Sequence, residues 1–148
     1  SRPSWPKSTA LRPKAAARGR TVHITKQQFA DTTVVAPAGR IDHSSAGELE
    51  AALLPLAGEV AERKGALVLD FAGVDYISSV GLRVLMIAAK QMRAAQARLS
   101  VAALSSVVAE IFTISRFDKV LTVNATLEDA LAQASDAALA AYRATSKP

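Results

Sequence analysis

Apolar and polar positions alternate from Thr21, with Val22 and Ile24 on one side of the turn-prone Ala30-Asp31-Thr32 and Thr33-Val34-Val35-Ala36 on the other. A period of two on both sides of a turn predicts a β-hairpin. The period then lengthens. Gly39-Arg40-Ile41-Asp42 leads to Ser45, Glu48 follows three residues later, and Leu49, Leu53, Leu56 and Val60 recur at helical intervals. Ser45 and Glu48 have the spacing of a capping box, so a helix of about 18 residues is expected here.

Ala66-Leu67-Val68-Leu69-Asp70-Phe71 is a short apolar run without alternation. Such a run suits a strand buried on both faces, which makes it the expected central strand of a parallel or mixed sheet. Ala72 to Ile77 reads as a loop. Ser78 and Ser79 then stand where a second long helix begins, with Leu82, Leu85, Met86, Ala89 and Met92 along its inner face. Leu99 to Leu104 predicts a strand, Ser106 to Ser115 a short helix carrying Val107, Val108, Ile111 and Phe112, and Val120 to Val123 another strand. Thr126 caps one final helix. Strands alternating with helices after an opening hairpin imply an α/β fold with right-handed crossovers.

Composition narrows the chemistry. The 148 residues suffice for one core, and 31 alanines against seven aromatics describe a helix-rich chain packed with small side chains. The longest uncharged stretch, Leu99 to Ala109, is well short of the roughly 18 residues a membrane-spanning helix needs. No cysteine is present, so disulfides, thiolate-bound metals and cysteine nucleophiles are excluded. His23 and His43 remain, one in the first strand and one beside a helix start, and both read as ordinary surface or edge histidines.

The net charge of +5 is unevenly distributed. Residues 1–20 carry Arg2, Lys7, Arg12, Lys14, Arg18 and Arg20, three prolines and no acid, whereas residues 21–148 carry 12 basic and 13 acidic side chains. The first twenty residues are therefore expected to be a flexible basic tail outside a nearly neutral domain spanning 21–148. Such an arm could touch nucleic acid or anionic lipid, whereas the domain itself has no net positive charge with which to hold nucleic acid. Because the sequence starts at Ser1, a processed or vector-derived end is the competing account of the tail.

Motifs for common enzymes are missing. The chain contains no phosphate-binding loop, no dinucleotide fingerprint, no nucleophile elbow and no paired-histidine zinc motif. Asp42, Asp70 and Asp75 fall at strand ends, where open α/β sheets bind ligands, and equally where turns need acids. What remains is Asp75-Tyr76-Ile77-Ser78-Ser79-Val80-Gly81-Leu82. One serine is explained as a helix cap, and two are not required. A helix start also tolerates a phosphate, because its free N–H groups and dipole favour an anion.

These residues, with the strand Leu-Val-Leu-Asp-Phe before them, the upstream Gly-Arg-Ile-Asp and the late Thr-Leu-Glu-Asp-Ala-Leu, resemble a STAS domain of the anti-sigma factor antagonist type over about residues 21–141. The resemblance implies an α/β fold with a mixed central sheet of about four or five strands flanked by about four α-helices. It also implies a cytoplasmic, non-enzymatic regulator without metal or cofactor. Such a protein binds an anti-sigma factor serine kinase, frees the sigma factor, is inactivated by phosphorylation and is reset by a metal-dependent serine phosphatase. The phosphoacceptor position falls on Ser79, with Ser78 as the fallback, and the partner-binding surface on Asp42, Ser78, Ser79, Val80, Gly81 and Leu82. Many members carry an aspartate where this chain has Ser78 and a hydroxyl residue where it has Val80. A phosphorylation-independent STAS subunit of a lipid or anion transport assembly is the alternative with the same fold.

The segregated charge of residues 1–20 generates a first prediction. Deleting them should leave the melting temperature nearly unchanged, because no core element is expected there. A loss above about 2 kcal/mol in urea unfolding would show that the tail packs on the domain.

Overall fold

A computed structural model describes residues 22–146. The basic segment 1–20 lies outside the described residues. Strands β1 (Val22–Phe29) and β2 (Thr32–Ile41) form the expected antiparallel hairpin, paired from Val22 opposite Gly39 to Phe29 opposite Thr32. The turn is Ala30-Asp31, with Ala30 in the left-handed region at φ 57°. Helix α1 (Ala46–Glu62) follows, and its Leu49, Leu53 and Val60 are buried, while Leu56 is half-buried.

Strand β3 (Ala66–Asp70) runs parallel to the first half of β2, pairing with Thr32 to Val35. Leu67, Val68 and Leu69 are fully buried, as expected of a central strand covered on both faces. Residues 73–77, expected as loop, form a further strand, β4 (Gly73–Ile77), parallel to the second half of β2. Long β2 therefore serves two successive partners, with Pro37, which has no N–H to give, in the interval between them. The register shifts between Gly39 and Arg40, where Gly39 takes φ 106°, a conformation open to glycine. Gly73 lets the two strands meet, since a Cβ there would lie 2.9 Å from that of Ala38.

Helix α2 (Ser79–Ala94) buries Leu82, Leu85, Ala89 and Met92 as its period requires, together with Gly81, Val84 and Ala88, while Met86 lies half-buried at the flank. Then come β5 (Arg98–Ala102), α3 (Ser106–Ile114), a 3₁₀ turn at Phe117–Lys119, β6 (Thr122–Asn124) and α4 (Leu127–Ala134). The expected single last helix is two. Ser135 adopts an extended backbone, donates its hydroxyl to Asp31 Oδ1 at 2.8 Å and accepts the Ala138 N–H at 2.9 Å. It thereby ends α4 and starts α5 (Asp136–Ser146), whose Tyr142 meets Phe29 edge to face.

The result is a six-stranded mixed sheet in the order β1-β2-β3-β5-β6, with β4 on β2 beyond β3. Among the described residues five α-helices cover it, so sheet and helices each exceed the expected number slightly. One face packs under α1, α2 and α3 around Leu49, Leu53, Leu69, Leu85 and Phe112; the other lies under α4 and α5 around Val34, Val68 and Leu131.

Helix α2 packs tightly against the sheet at Gly81. A Cβ there would sit 2.7 Å from Ile41 Cγ2 and 2.8 Å from Ile77 Cγ1, so the first turn of α2 would have to shift. Gly81→Ala should cost about 1–3 kcal/mol through overpacking. Gly47→Ala, in α1 with nothing within 4 Å of the added methyl, should instead gain about 0.5–1 kcal/mol. Urea unfolding of both variants checks the contrast, and equal effects would show that the contact at Gly81 is soft.

Candidate functional site

Strands β2 and β4 end side by side, with Ile41 opposite Ile77. The Ser78 N–H donates to the Ile41 carbonyl at 2.8 Å, tying the start of α2 to the end of β2. The β2–α1 loop and the N-terminus of α2 thus leave the sheet from adjacent points. Parallel pairing of the strand ends brings Asp42 and the two serines onto one edge although they are far apart in sequence.

The two serines differ in their bonding. Ser78 is the N-cap of α2: its backbone is extended, its Oγ accepts the Gly81 N–H at 3.2 Å and its carbonyl accepts the Leu82 N–H at 2.9 Å. Ser79 is the first helical residue, exposed, and its hydroxyl has no hydrogen-bond partner among the described residues. Val80 beside it is 39% exposed, whereas Leu82 and Gly81 are buried. Of the expected partner-binding positions, Ser79 and Val80 therefore offer contact area, and Gly81 and Leu82 hold them in place from beneath.

Asp42 organises the neighbouring loop. Its Oδ1 accepts the Ser44 hydroxyl at 2.8 Å, the Ser44 N–H at 3.0 Å and the Ser45 N–H at 3.2 Å, and the Ser45 hydroxyl oxygen lies 3.3 Å away. Its Oδ2 pairs with Arg40 Nε at 3.3 Å. The capping box expected at Ser45 is not how α1 begins. Ser45 Oγ makes no cap bond; it donates to the Arg40 carbonyl at 2.8 Å and accepts the Asp42 N–H at 2.9 Å. Asp42 takes over the capping, because the turn 43–45 extends the helical path back to it. Arg40 also stacks its guanidinium 4.3 Å from the Tyr76 ring centroid across the strand pair. Sequence reading missed Arg40, Tyr76 and Ser44, and the pairing of Arg40 with Tyr76 needs the bulged β2–β4 register to be known.

The Ser44 hydroxyl, with the N–H groups of Ser44 and Ser45 and the Ser45 hydroxyl, holds the Asp42 carboxyl below its ordinary range, although partial desolvation works against this. The other strand-end acids do not join it in a metal site. Asp70 closes the turn into β4 by accepting the Ala72 N–H at 3.1 Å, Asp75 is exposed on β4, and no group of three or more His, Asp and Glu among the described residues could hold a metal ion. A cavity of about 390 Å³ lies at the opposite end of the sheet, between β5 and the C-terminal ends of α2 and α4. Arg93 and Arg98 on its wall donate to the carbonyls of Val120 and of Gln133 and Ala134, so they act as struts between elements.

A six-stranded mixed sheet with a serine-capped helix at the end of its β2–β4 pair defines a small α/β domain. The STAS domain family model matches residues 23–130, and the chain belongs to the STAS domain family. It is 39% identical over 94 residues to BtrV of Bordetella bronchiseptica, a protein named as an anti-sigma factor antagonist, covering 64% of this chain and 78% of that one. A crystal structure of an anti-sigma factor antagonist from Mycobacterium paratuberculosis superimposes with a TM-score of 0.66 at 26% identity, covering 78% of this chain and 95% of that one. The anti-sigma factor antagonist SpoIIAA in its unphosphorylated form shares the fold, with a TM-score of 0.61 at 17% identity over 75% of this chain and 95% of its own. No helix among the described residues is long and apolar enough to cross a membrane.

A carboxyl with a lowered pKa contributes stability above its unfolded value near 3.8, and that contribution is lost as pH falls through the lower folded value. Parent protein should therefore lose stability on acidification below about pH 4 more steeply than Asp42→Asn does. Thermal melts from pH 6 down to pH 2.5 measure this, and parallel curves would mean that the loop does not favour the ionised form.

Proposed function

We propose that this chain is an anti-sigma factor antagonist that works by partner switching. In its unmodified form it binds an anti-sigma factor of the serine-kinase type and frees the sigma factor; phosphorylation of Ser79 ends that binding, and a metal-dependent serine phosphatase restores it. The observation that carries this reading is the division between the serines: Ser78 fills the cap, leaving the Ser79 hydroxyl exposed and unbonded on the first turn of α2. The names of the relatives at 39% and 26% identity support antagonism over the transport-subunit alternative.

The chemistry asks little of this chain. Ser79 Oγ attacks the γ-phosphorus of ATP held by the kinase, the new O–P bond forms as the bond to the β–γ bridging oxygen breaks, and ADP departs. The hydroxyl proton passes to a base on the kinase, so this chain is substrate and ligand, not enzyme. The product adds about −1.5 to −2 charges beside Val80 without removing a cap or a core contact. A partner that had covered this patch would then bury an unmatched charge, at about 2–5 kcal/mol or roughly 30- to several-thousand-fold in affinity. The fold need not change for the switch to work.

Incubation with the cognate kinase and ATP should add one phosphate, which mass spectrometry should place on Ser79. Ser79→Ala should fold with parental stability, bind the kinase and resist inactivation, while Ser79→Asp should bind weakly. Ser78→Ala should accept phosphate but lose about 0.5–2 kcal/mol of stability with its cap. If phosphate appears on Ser78 alone, the roles of the serines are reversed; if neither serine is modified and both Ser79 variants bind like the parent, partner switching through this site is wrong.

A further inference from the structure

Helix α2 has an unusual charge pattern for a surface helix. Its sixteen residues include Arg83, Lys90 and Arg93 and no acid, whereas α1, packed beside it, carries Glu48, Glu50, Glu59 and Glu62 and no base. The solvent face of α2 is formed at helical intervals by Val80, Arg83, Ile87 and Lys90, with Val80 and Ile87 39% and 40% exposed. Neither Arg83 nor Lys90 has an acidic partner among the described residues.

Arg83 is the misplaced charge. It lies four residues after Ser79, and a long helical side chain leans back toward the N-terminus, so its guanidinium is directed toward the positive end of the helix dipole. The first turn holds no acid to balance it. An unpaired cation there costs the isolated protein stability, and an anion brought to the first turn or to this face relieves it. Two apolar side chains with a free cation between them match a partner surface that is acidic and partly apolar. A phosphate on Ser79 would stand at the i, i+4 distance from Arg83, about 5–6 Å between the Cβ atoms.

Building on the Ser79 switch, we propose that the outer face of α2, formed by Val80, Arg83 and Ile87, continues the docking surface and receives an acidic, partly apolar face of the kinase partner, and that phosphoserine at position 79 captures Arg83 and withdraws it from that contact. Phosphorylation then acts twice: it places charge in the interface and removes the cation that had held the partner. The partner-facing and phosphate-facing roles of Arg83 exclude each other, which sharpens the switch beyond simple repulsion.

The test separates this proposal from the reading it rests on by installing phosphoserine at position 79 during translation, independently of any kinase. Phosphorus NMR should give a second phosphate ionisation about 0.2–0.7 pH unit lower in the parent than in Arg83→Gln, with Arg83→Lys close to the parent. In the unmodified protein, Arg83→Gln and Ile87→Asp should each weaken kinase binding about tenfold or more, with no fall in melting temperature for Arg83→Gln. The affinity penalty of phosphoserine should be about tenfold smaller in Arg83→Gln than in the parent, because there is no cation left to withdraw. Identical phosphate ionisation in parent and Arg83→Gln overturns the capture, and unchanged binding of Arg83→Gln and Ile87→Asp overturns the docking face. A kinase that binds all variants as proposed but never phosphorylates Ser79 defeats the earlier reading and leaves the capture decided by the NMR arm alone.

Discussion

The close contact of α2 with the ends of β2 and β4 governs the arrangement of the site. Gly81 has no side chain, so the first turn of the helix can settle against Ile41 and Ile77 where even a methyl group would collide. That contact fixes the height of the helix start above the sheet, and the Ser78 N–H bond to the Ile41 carbonyl fixes its lateral position. Leu85, Ala89 and Met92 then lie on the core because the helix enters at the right angle. Ser79 and Val80 face outward for the same reason: with positions 81 and 82 against the core, the helical period turns 79 and 80 toward solvent.

In the proposed switch, two neighbouring serines divide two demands that conflict in a single residue. A helix start needs a side-chain oxygen to accept an orphan N–H, and a phosphoacceptor needs a hydroxyl that nothing else occupies. Ser78 meets the first demand and leaves Ser79 available for the second. The β2–α1 loop shows the opposite economy, since one carboxylate, Asp42, accepts three hydrogen bonds, faces Arg40 and caps the helical path into α1. The polar groups of that loop satisfy one another beside the start of α2.

The charge distribution sets this edge apart from the rest of the sheet's rim in the proposed docking. The bases Arg83 and Lys90 on α2 have no acidic partner among the described residues. Exposed pairs within one helix stabilise it by only a few tenths of a kcal/mol each, so their absence costs the fold little. Unpaired surface charge, in contrast, strongly biases the choice and rate of association with a partner of complementary potential.

The hairpin, the buried central strand and the two long helices were legible in the sequence because each follows from short-range periodicity. Val22 and Ile24, Leu67 to Leu69, and the spaced Leu49-Leu53 and Leu85-Ala89-Met92 sets are local patterns that mark both element and buried face. The serine pair at a helix start before Gly81 was legible for the same reason. Other features depended on partners distant in the chain. Residues 73–77 read as loop because a run of five that starts on a glycine and includes an aspartate carries little strand signal; they become β4 only because the far half of β2 supplies hydrogen bonds. Ser135 splits the last helix by reaching Asp31 in the hairpin turn, and the cap of α1 moves from Ser45 to Asp42 because Ser45 is drawn to the Arg40 carbonyl. The sequence by itself determined the hairpin, the central strand and the two long helices, and that a hydroxyl would stand at the start of α2. Only the tertiary structure decided which serine is free and that Asp42 and Ser79 share an edge, because those outcomes rest on hydrogen bonds and close contacts between segments that come together only when the sheet forms.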